Sequence, residues 1–467
     1  MLFGVSIFSQ ITLTKDISFG TNGVASFTYP SEMLMTNFEK VFINDDNSLN
    51  ICLGTEGAYH TGMIAQLTSA GVLDTSYNST GKLILNGNPH TAFEFAKQGQ
   101  KIIAIYANDY FDDNPDSKLV RYNGNGSVDQ TFGVNGSVFT HPNLFYRKLI
   151  ILPNRFFHVW GKITGYQSNG AVNNAYGNNG VQNPVVNGVP YEYLELYSFF
   201  GNRNGKAFFN KNHSDIAVSN QNAPHQFTNY QLSDHGFYTV PNASSGISVY
   251  PKKFHITAEN QIAYLFGIDP NSGIERNRFV ILNEAMQPKI FNMKEYIDLG
   301  EVSQGNEIYD LAQFQNQYVF VGKKENKPII FSLDQQGNRT KINGSDELFE
   351  KVSADDFSTV LVKDNAVYVL GKKSASHEIF LIKYNAQFLS ASDSSINDLS
   401  VQNPFKDEFK ILNAKNIQKI TFYNAVGSIV KSAKQSTVPT ADLTPGIYIV
   451  KIDFTNRPSQ TFKAIKN

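Results

Sequence analysis

The chain has 467 residues but a single cysteine, and its charges almost cancel. One cysteine excludes an intrachain disulfide framework, so the fold must depend on its hydrophobic core. Cys52 lies in the apolar run Ile51-Cys52-Leu53, which is typical of a buried small side chain. With 40 basic and 41 acidic residues the formal net charge is −1, so no basic field is available to hold nucleic acid or an anionic membrane.

Long apolar runs are absent as well. No stretch approaches the roughly 20 residues that a transmembrane helix needs, so we expect no transmembrane segment. The first nine residues, MLFGVSIFS, are similar to the end of a signal peptide. Small-residue processing after Ser9 would leave Gln10 as the first residue. The alternative is that this segment is a hydrophobic first strand.

Catalytic signatures are lacking too, because the sequence contains neither a GxSxG nor an HExxH motif. The nine histidines are scattered. One loose group could supply metal ligands, but no pair in it shows a recognised ligand spacing, so we interpret its members as polar loop residues. The group comprises His213, Asp215, His225, Asp234 and His235.

Two acidic loops are candidates for calcium, which takes several carboxylate and carbonyl oxygens as ligands. The first holds the four candidate metal ligands Asp109, Asp112, Asp113 and Asp116, and the second holds Asp45, Asp46 and Asn47. Neither has the 1-3-5 spacing with a mid-loop glycine. The spacing therefore favours solvated hairpin loops, and calcium is the one cofactor that the sequence leaves open.

What the sequence does have is phenylalanine (36), tyrosine (23) and glycine (34), a composition that favours strands and turns. Strand-like runs ending in a small residue recur, as in NICLG, IIAIYA and QYVFVG. The steps between the closing residues are 53, 54, 106, 55 and 49 by subtraction, and the step of 106 indicates one diverged copy near residue 214. The closing residues are Gly54, Ala107, Gly161, Gly267, Gly322 and Gly371.

A second pattern, D-x-S/T-F/Y-G-x-x-G, occurs four times in the first 180 residues. The aspartate can accept hydrogen bonds from backbone N–H groups in an Asx-turn, and the aromatic ring can pack inward. Glycine suits backbone conformations that are energetically unfavourable for residues with a Cβ atom. Phosphate binding is not indicated, because the strand-to-helix context is missing. The second copy has Asn78 in place of the first glycine, and the fourth has Asn173 and Ala175 in place of Asp and Ser/Thr. The matching residues are Asp16, Phe19, Gly20 and Gly23; Asp74, Tyr77 and Gly81; Asp129, Phe132, Gly133 and Gly136; and Tyr176, Gly177 and Gly180.

This motif resembles the delta-60 repeat of bacterial surface and secreted proteins. Seven strand-rich registers of about fifty residues fit an all-β fold, a seven-bladed β-propeller over residues 10–387. The first motif precedes the first hairpin, so we predict that residues 12–30 complete the last blade and close the ring, hiding sheet edges. Residues 388–398 are Ser-rich and predict a flexible linker.

The last seventy residues bear on the cellular location of the protein. Alternating strand patterns around the turn Thr444-Pro445-Gly446 predict a small β-sandwich over residues 399–467. Three blocks in order resemble the C-terminal sorting domain of the type IX secretion system of Bacteroidetes. The resemblance implies recognition by the outer-membrane secretion machinery, passage through the periplasm and outer membrane, and a secreted or cell-surface location. The residues that carry it are Asn403, Pro404, Gly427, Leu443, Gly446 and Tyr448.

The function of the propeller is left open by its sequence, because a fold alone does not define one. A scaffold motif without catalytic signatures favours a non-catalytic binding or adhesion module over an enzyme. Aromatic residues around positions 191–209, which we expect in long loops together with many asparagines, make glycans or a surface protein the candidate partners. The alternatives are an enzyme acting on extracellular polysaccharide and a structural component of the cell surface.

Overall fold

The structure is a computed structural model, and its contacts divide the chain into two compact units. The larger unit comprises residues 14–339 and 347–385, and the smaller comprises the described parts of 1–13, 340–346 and 386–467. The described residues are 10–33, 36–55, 61–87, 91–107, 117–140, 148–152, 155–159, 163–175, 178–182, 185–186, 189–190, 199–203, 206–210, 215–220, 237–239, 248–256, 261–269, 276–282, 297–302, 305–349, 354–389, 400–401, 403–412, 416–424, 427–455 and 459–467.

The protein is all-β, as predicted. Strands with one face towards the core bury alternate residues, as Ala25 and Phe27 show in the strand Val24–Thr28, because successive side chains of a strand point to opposite faces. Strands such as Thr61–Leu67 are buried on both faces. Two single turns of 3-10 helix, Tyr77–Ser79 and Ser374–Ser376, are the helical segments among the described residues. Within this part of the chain, no helix has the length and apolar character needed to cross a lipid bilayer.

The strands follow one another as short antiparallel sheets. The first strands are β1 (Gln10–Lys15), β2 (Val24–Thr28), β3 (Thr36–Ile43), β4 (Leu49–Thr55), β5 (Thr61–Leu67), β6 (Lys82–Asn86), β7 (Ala92–Gln98), β8 (Lys101–Ala107), β9 (Ser117–Tyr122), β10 (Ser137–Thr140), β11 (Lys148–Leu152), β12 (Arg155–Val159), β13 (Ile163–Gln167) and β14 (Val181–Gln182). The middle strands are β15 (Val185–Val186), β16 (Val189–Pro190), β17 (Phe199–Arg203), β18 (Lys206–Asn210), β19 (Asp215–Asn220), β20 (Phe237–Thr239), β21 (Ser248–Ile256), β22 (Ile262–Asp269), β23 (Arg276–Leu282) and β24 (Ile297–Glu301). The last strands are β25 (Glu307–Phe314), β26 (Gln317–Lys324), β27 (Lys327–Asp334), β28 (Arg339–Ile342), β29 (Glu347–Phe349), β30 (Asp356–Lys363), β31 (Ala366–Lys373), β32 (Glu378–Leu389), β33 (Ser400–Val401), β34 (Glu408–Leu412), β35 (Ile417–Tyr423), β36 (Ile429–Ala433), β37 (Thr437–Pro439), β38 (Gly446–Phe454) and β39 (Gln460–Lys466).

In the larger unit the strands group into four-stranded sheets: β3–β6, β7–β10, β11–β14, β17–β20 and β21–β24. Next, β25, β26 and β27 pair in that order, and β29 pairs with β27. In the last sheet β30, β31 and β32 pair in order, and β2 from the start of the chain pairs with β32. Val24 lies opposite Ile382, which confirms the prediction that the N-terminal segment completes the last sheet.

Each sheet contacts the next through its first strand. Strand β3 contacts β7, β7 contacts β11, β11 contacts β17, β17 contacts β21, β21 contacts β25, and β25 contacts β30. Strand β30 in turn contacts β3, so the succession of sheets returns to its start. Hydrophobic clusters lie between neighbouring sheets: one combines Leu49 and Met63 with Tyr368 and Leu381. The described aromatic residues of these clusters therefore serve as core between sheets.

The small residue that closes the second strand of several repeats has a steric reason. A Cβ atom on Gly54 would lie 2.6 Å from the carbonyl oxygen of Phe93, and one on Gly371 would lie 2.9 Å from that of Asp356. Both oxygens belong to first strands of sheets. The recurring glycine is thus explained by the close approach of a neighbouring backbone.

In the smaller unit, β1 pairs in parallel with β28, with Gln10 opposite Lys341 and Ile11 opposite Ile342. The Asn343 amide holds Leu13 at both its N–H (2.8 Å) and its carbonyl (2.9 Å). The described chain thus begins with a strand. The signal-peptide prediction for residues 1–9 lies outside the described residues. So does most of the predicted linker, since Phe388 and Leu389 extend β32 and residues 390–399 are not described.

Asp310 connects three sheets. It lies on β25 with its side chain 4% exposed, and its Oδ1 is 2.8 Å from the Nζ of Lys253 on β21. Its Oδ2 accepts a hydrogen bond from the N–H of Val360 on β30 (3.0 Å), and Oδ1 also accepts one from the N–H of Leu311 (2.8 Å). One buried carboxylate therefore ties the first strands of three consecutive sheets together.

We expect Asp310→Ala to lower the free energy of unfolding by about 3–5 kcal/mol, because it leaves a lysine and buried backbone donors without their partner. Urea unfolding of the full chain measures this loss. Asp346→Ala is the matched control, since its carboxylate pairs with Lys341 at 65% exposure and should change stability by less than about 1 kcal/mol. Equal losses in the two variants would contradict the role assigned to Asp310.

Candidate functional site

The repeat motif forms the same turn in its first three copies. In the first, Oδ1 of Asp16 accepts hydrogen bonds from the N–H (3.1 Å) and the hydroxyl (2.5 Å) of Ser18. Oδ1 of Asp74 accepts the same pair from Ser76 at 3.0 and 2.6 Å, and Oδ1 of Asp129 from Thr131 at 3.1 and 2.7 Å. The Asx-turn is present as predicted, and the hydroxyl residue two positions after the aspartate adds a second hydrogen bond to it.

The second carboxylate oxygen faces a cation in two copies. Oδ2 of Asp129 lies 2.7 Å from Nε of Arg121 and 2.5 Å from Nζ of Lys101, and Oδ2 of Asp16 lies 2.8 Å from Nζ of Lys383. The N–H of Asp129 also donates to the carbonyl of Arg121, and that of Asp16 to Lys383, so the two cations hold equivalent positions. At this position the second copy has Gln66, whose carbonyl accepts the N–H of Asp74.

These cations change the acidity of the carboxyl groups. The hydrogen bond from Lys383, supported by that from Ser18, holds the pKa of Asp16 below its ordinary value. Burial alone would raise the pKa of Asp129, but the hydrogen bonds from Lys101 and Thr131 outweigh that effect and hold the pKa well below its usual range. Both aspartates are therefore charged at neutral pH and serve as fixed anions.

The aromatic residue of the motif is buried in every described copy: Phe19 and Tyr77 are 1% exposed and Phe132 is fully buried. The ring of Phe132 stacks on Phe156 of the following sheet, with centroids 5.8 Å apart. The Arg121 guanidinium lies 4.5 Å from the centre of the Phe132 ring. In the third copy the cation thus contacts both the carboxylate and the ring of one motif.

The residue after the aromatic joins the motif to the next sheet. The N–H of Gly20 donates to the carbonyl of Ala70 (2.7 Å), that of Asn78 to Asn125 (3.0 Å), and that of Gly133 to Asn169 (2.7 Å). Each acceptor lies in the turn that follows the third strand of the next sheet. We call this bond, together with the buried ring, the inter-sheet staple. It occurs three times in consecutive sheets.

Backbone geometry explains the glycine at this position. Gly20 has φ of 56° and Gly133 has φ of 58°, and a Cβ atom on either would lie within about 2.2 Å of a carbonyl oxygen. Asn78 takes a similar φ of 47°, which asparagine tolerates better than other residues with a Cβ. Its amide donates to the carbonyl of Lys82 (2.8 Å). Asn78 in place of glycine therefore preserves the turn in the second copy.

The fourth copy keeps only part of this arrangement. Asn173 replaces the aspartate, and the equivalent of Arg121 is Gly165, whose carbonyl accepts the N–H of Asn173. The loss of the anion is thus matched by the loss of the cation. Gly180 retains a φ of 88°, whereas Tyr176 and Gly177 lie outside the described residues.

A fifth remnant was missed at the sequence level. Ile342 and Ser345 exchange backbone hydrogen bonds across Asn343 and Gly344, which have φ of 51° and 83°. Val134 and Ser137 exchange the same bonds across Asn135 and Gly136 in the third copy. The Asn-Gly pair was the available signal, but without the preceding aspartate and aromatic it was not distinctive.

The other candidate sites fare differently. The calcium candidates Asp109, Asp112, Asp113 and Asp116 lie outside the described residues, as does the histidine group except the backbone of Asp215 in β19. Among the described residues, no group of three or more His, Cys, Asp or Glu side chains could hold a metal ion. The expectation that aromatics near 200 and 208 lie in loops was wrong. Phe199 and Phe200 belong to β17, and Phe208 and Phe209 to β18, where a two-residue connection pairs the strands.

The second acidic loop is a hairpin whose oxygens already accept protein donors. Oδ1 of Asp46 accepts the N–H and hydroxyl of Ser48 at 3.0 and 2.7 Å. Lys363 from the last sheet donates to the carbonyl of Asn44 (3.0 Å) and to Oδ1 of Asn47 (2.7 Å). The hairpin interpretation is thus supported, and the loop is held to a neighbouring sheet.

The C-terminal segment forms two sheets with one core. Strands β33, β34 and β37 make the first sheet, and β36, β35, β38 and β39 make the second in that order. Alternate residues of β38 are buried, and the rings of Phe405 and Phe409 meet edge to face at 5.2 Å. The core comprises Phe405, Phe409, Ile411, Ile420, Phe422, Val438, Leu443, Tyr448, Val450, Ile452, Phe454, Phe462 and Ala464.

The residues that carry the sorting-domain resemblance have structural roles. Asn403, which precedes a cis peptide bond to Pro404, accepts the N–H of Ile465 (2.8 Å) and donates to the carbonyl of Lys463 (3.0 Å). It thereby fixes the start of the domain to the last strand. Leu443 and Tyr448 belong to the core, and the Tyr448 hydroxyl donates to the carbonyl of Thr444 (2.7 Å).

The two glycines of the pattern lie in different settings, Gly427 in a turn and Gly446 at the start of a strand. Gly427 has φ of 79° and donates its N–H to the carbonyl of Asn424 (2.9 Å), closing the turn before β36. Gly446 has φ of 154° and begins β38. The conformation of Gly427 is one that residues with a Cβ rarely adopt.

Comparison with known proteins agrees with this assignment. Residues 403–467 match the family described as a secretion system C-terminal sorting domain. The match confirms the predicted type IX sorting domain and supports export to the cell surface or the extracellular space. No curated protein sequence matches the chain significantly.

Solved structures show a weak likeness. BamB from Moraxella catarrhalis is 11% identical with a TM-score of 0.40, over 74% of this chain and 81% of that one. Drosophila Plexin A, solved in complex with Semaphorin 1b, is 11% identical with a TM-score of 0.38, over 77% and 86%. Both TM-scores are below 0.5, so the fold is defined by the sheets described above.

We expect Asp129→Asn to lower the free energy of unfolding by about 2–4 kcal/mol at pH 7, since it removes a charge bound to Arg121 and Lys101. The folded-state pKa of Asp129 lies below its unfolded value, so its contribution is present above about pH 4 and is lost as the pH falls through the folded pKa. The difference between wild type and variant should therefore narrow below about pH 4. Urea unfolding at several pH values measures it.

Asp74→Asn is the matched control. It changes the same motif position, but Gln66 stands where the third copy has Arg121, so we expect a loss of about 1 kcal/mol or less. If Asp74→Asn were as damaging as Asp129→Asn, the ion pairs would not be the source of the effect.

We expect Tyr77→Phe to raise the stability by about 1–2 kcal/mol. The Tyr77 hydroxyl is buried and has no hydrogen-bond partner among the described residues, and the first and third motifs have phenylalanine here. Thermal unfolding measures the gain. Tyr106→Phe should instead destabilise by about 1 kcal/mol, because the hydroxyl oxygens of Tyr106 and Tyr122 lie 2.7 Å apart in the core. A loss of stability in Tyr77→Phe would show that its hydroxyl is satisfied.

Proposed function

We propose that this protein is an exported seven-bladed β-propeller that binds a partner outside the cell, followed by a β-sandwich that directs its export. The observation that carries the export part is the sorting-domain match over residues 403–467. The propeller part is supported by sheets that contact one another through their first strands in a circular order. The proposed boundaries are residues 10–387 for the propeller, 388–398 for the linker and 399–467 for the sorting domain. Phe388 and Leu389 of the proposed linker extend the last strand β32.

The grouping of strands into sheets supports seven blades. Five of them use consecutive strands, from β3–β6 to β21–β24, and the sixth combines β25–β27 with β29. The seventh combines β30–β32 with β2 from the other end of the chain. Pairing of a strand from the start of the chain with the last sheet protects sheet edges and keeps the ring of blades closed. The inter-sheet staple supports membership in the delta-60 repeat class, because the motif residues serve the junction between blades.

A binding role is favoured over catalysis by how the motif carboxylates are used. Asp16, Asp74 and Asp129 accept hydrogen bonds within their own turns, and two of the three also form ion pairs. These acids are committed to the scaffold. A ligand must therefore be bound by the connections between strands, which in repeat folds vary while the strands stay constant.

The connections between second and third strands do vary. They span 5 residues after β4, 9 after β8, 3 after β12, 4 after β18, 6 after β22, 2 after β26 and 4 after β31, by subtraction of strand bounds. The longest holds the Asp109–Asp116 cluster. Oxygen-rich, asparagine-rich connections suit a polyhydroxylated ligand, so we propose a glycan as the partner. An enzyme acting on extracellular polysaccharide is the second candidate, and a structural role at the cell surface is the third.

A thermal-shift screen of the full chain against bacterial, plant and host glycans, with and without calcium, tests the binding role. A ligand that binds the folded state adds about 2.7 kcal/mol at a concentration of 100 Kd, so the right glycan class should raise Tm saturably. Sucrose at equal concentration controls for nonspecific osmolyte stabilisation, which does not saturate. No shift beyond the sucrose control with any glycan would contradict a glycan-binding role. Release of reducing ends from the bound glycan would favour the enzyme.

A further inference from the structure

The second sheet of the sorting domain has one face turned away from the core. Along β38 the buried residues alternate with Ile447, Ile449, Lys451 and Asp453, which are all partly exposed. Residues directly opposite each other in antiparallel strands share a face. The outer face, as we call it, can therefore be traced strand by strand from the register.

Five apolar side chains meet at one end of the outer face. Tyr423 of β35 lies opposite Ile449 of β38 and also opposite Ile429 of β36, and Ile447 lies opposite Ile465 of β39. Ile429 is 61% exposed and Ile465 is 38% exposed. A continuous apolar cluster thus crosses all four strands on the side of the sheet that does not belong to the core. Contiguous exposed apolar surface of this kind marks interaction sites.

Lysines border this cluster. Lys463 lies opposite Ile449, Lys451 is the next outward residue of β38, and Lys419 lies opposite Asp453. The single acid, Asp453, is paired with Lys451 at 2.9 Å. The outer face therefore combines an apolar end with an excess of positive charge.

The whole domain shares this charge. Residues 403–467 contain nine lysines and one arginine against three aspartates and one glutamate, a net charge of +6. Because the full chain carries −1, the other 402 residues carry −7. This asymmetry is hidden in the overall composition. It selects for an anionic partner and disfavours a second copy of the domain, whose own face carries the same charge.

We propose that the outer face is the surface by which the export machinery binds the sorting domain, and that it binds a protein surface with an apolar centre and a carboxylate rim. The proposal rests on the export role of residues 403–467 and adds the site and the chemistry of recognition. Apolar contact supplies affinity at the Tyr423–Ile449 end. The lysines set orientation and speed association.

The test is localisation of the full chain in a host with a type IX system, measured as the ratio of surface-plus-medium protein to periplasmic protein. We expect the double variant Ile429→Thr with Ile465→Thr to lower this ratio at least fivefold. Lys463→Glu should have a similar effect. Threonine retains strand propensity, so urea unfolding midpoints should stay unchanged and separate a binding defect from a folding defect.

Two matched controls keep the proposal testable. Ile17→Thr with Val72→Thr removes apolar side chains that are 78% and 58% exposed in the larger unit and should leave export unchanged. Lys410→Glu reverses a charge on β34, in the other sheet of the domain, and should also have little effect. A loss from Lys410→Glu equal to that from Lys463→Glu would overturn the proposal in favour of diffuse attraction to an anionic lipid surface.

Deletion of residues 403–467 separates this proposal from the export role itself. If the deletion leaves export intact, the sorting function fails. If the deletion abolishes export while the double variant is exported normally, the sorting function stands and the outer face is not its binding surface. Sedimentation velocity of the purified chain adds a last outcome: a dimer that the double variant converts to monomer would assign the face to a second copy and overturn the proposal.

Discussion

The larger unit depends on the contact between one sheet and the next. Sheets of four short strands bury little surface alone, and the hydrophobic clusters lie between sheets. Hydrophobic burial alone does not fix how two sheets are oriented, and the inter-sheet staple supplies that orientation. A buried ring fills the gap between neighbouring sheets, and one backbone N–H donates to a defined carbonyl of the next turn. Because the ring and the donor are adjacent in sequence, position and orientation are fixed by the same turn.

The charge arrangement around the staple follows from this constraint. An aspartate that forms the turn with Oδ1 has Oδ2 free to face the preceding strand, where Arg121 and Lys383 lie. Where the strand has Gly165 instead, the motif has Asn173, so neither charge is left alone in a low-dielectric setting. A buried charge without a partner is costly, which explains why both charges are absent from the fourth copy. Asp74 of the second copy is only partly buried and keeps its charge beside Gln66.

Much of this could be predicted from the sequence, and the limits have physical causes. The Asx-turns, the buried rings and the paired N-terminal strand follow from local patterns, because turn chemistry and strand alternation are short-range. The cations were not predictable, since Lys383 meets Asp16 only through closure of the last sheet on the first residues. Asn78 looked like a defect because the pattern demands glycine, yet the required property is a positive φ, which asparagine can adopt. The outer face of the sorting domain was hidden for a different reason: which face of β38 is buried depends on pairing with both β35 and β39.

Closure and export are linked by chain order. Strand β2 pairs with β32, so the last sheet is complete only after nearly 390 residues have been made. Such non-local pairing is slow, because the entropy of closing a long loop must be overcome before any contact forms. The sorting-domain match begins at residue 403, after β32 has ended at Leu389. Its core residues and its lysines come from the same short segment, so it needs no contact from elsewhere to build its hydrophobic core. The basic sorting domain is built from contacts within one short segment, whereas the acidic larger unit needs contacts between distant parts of the chain. The sorting domain can therefore fold without waiting for the larger unit that it exports.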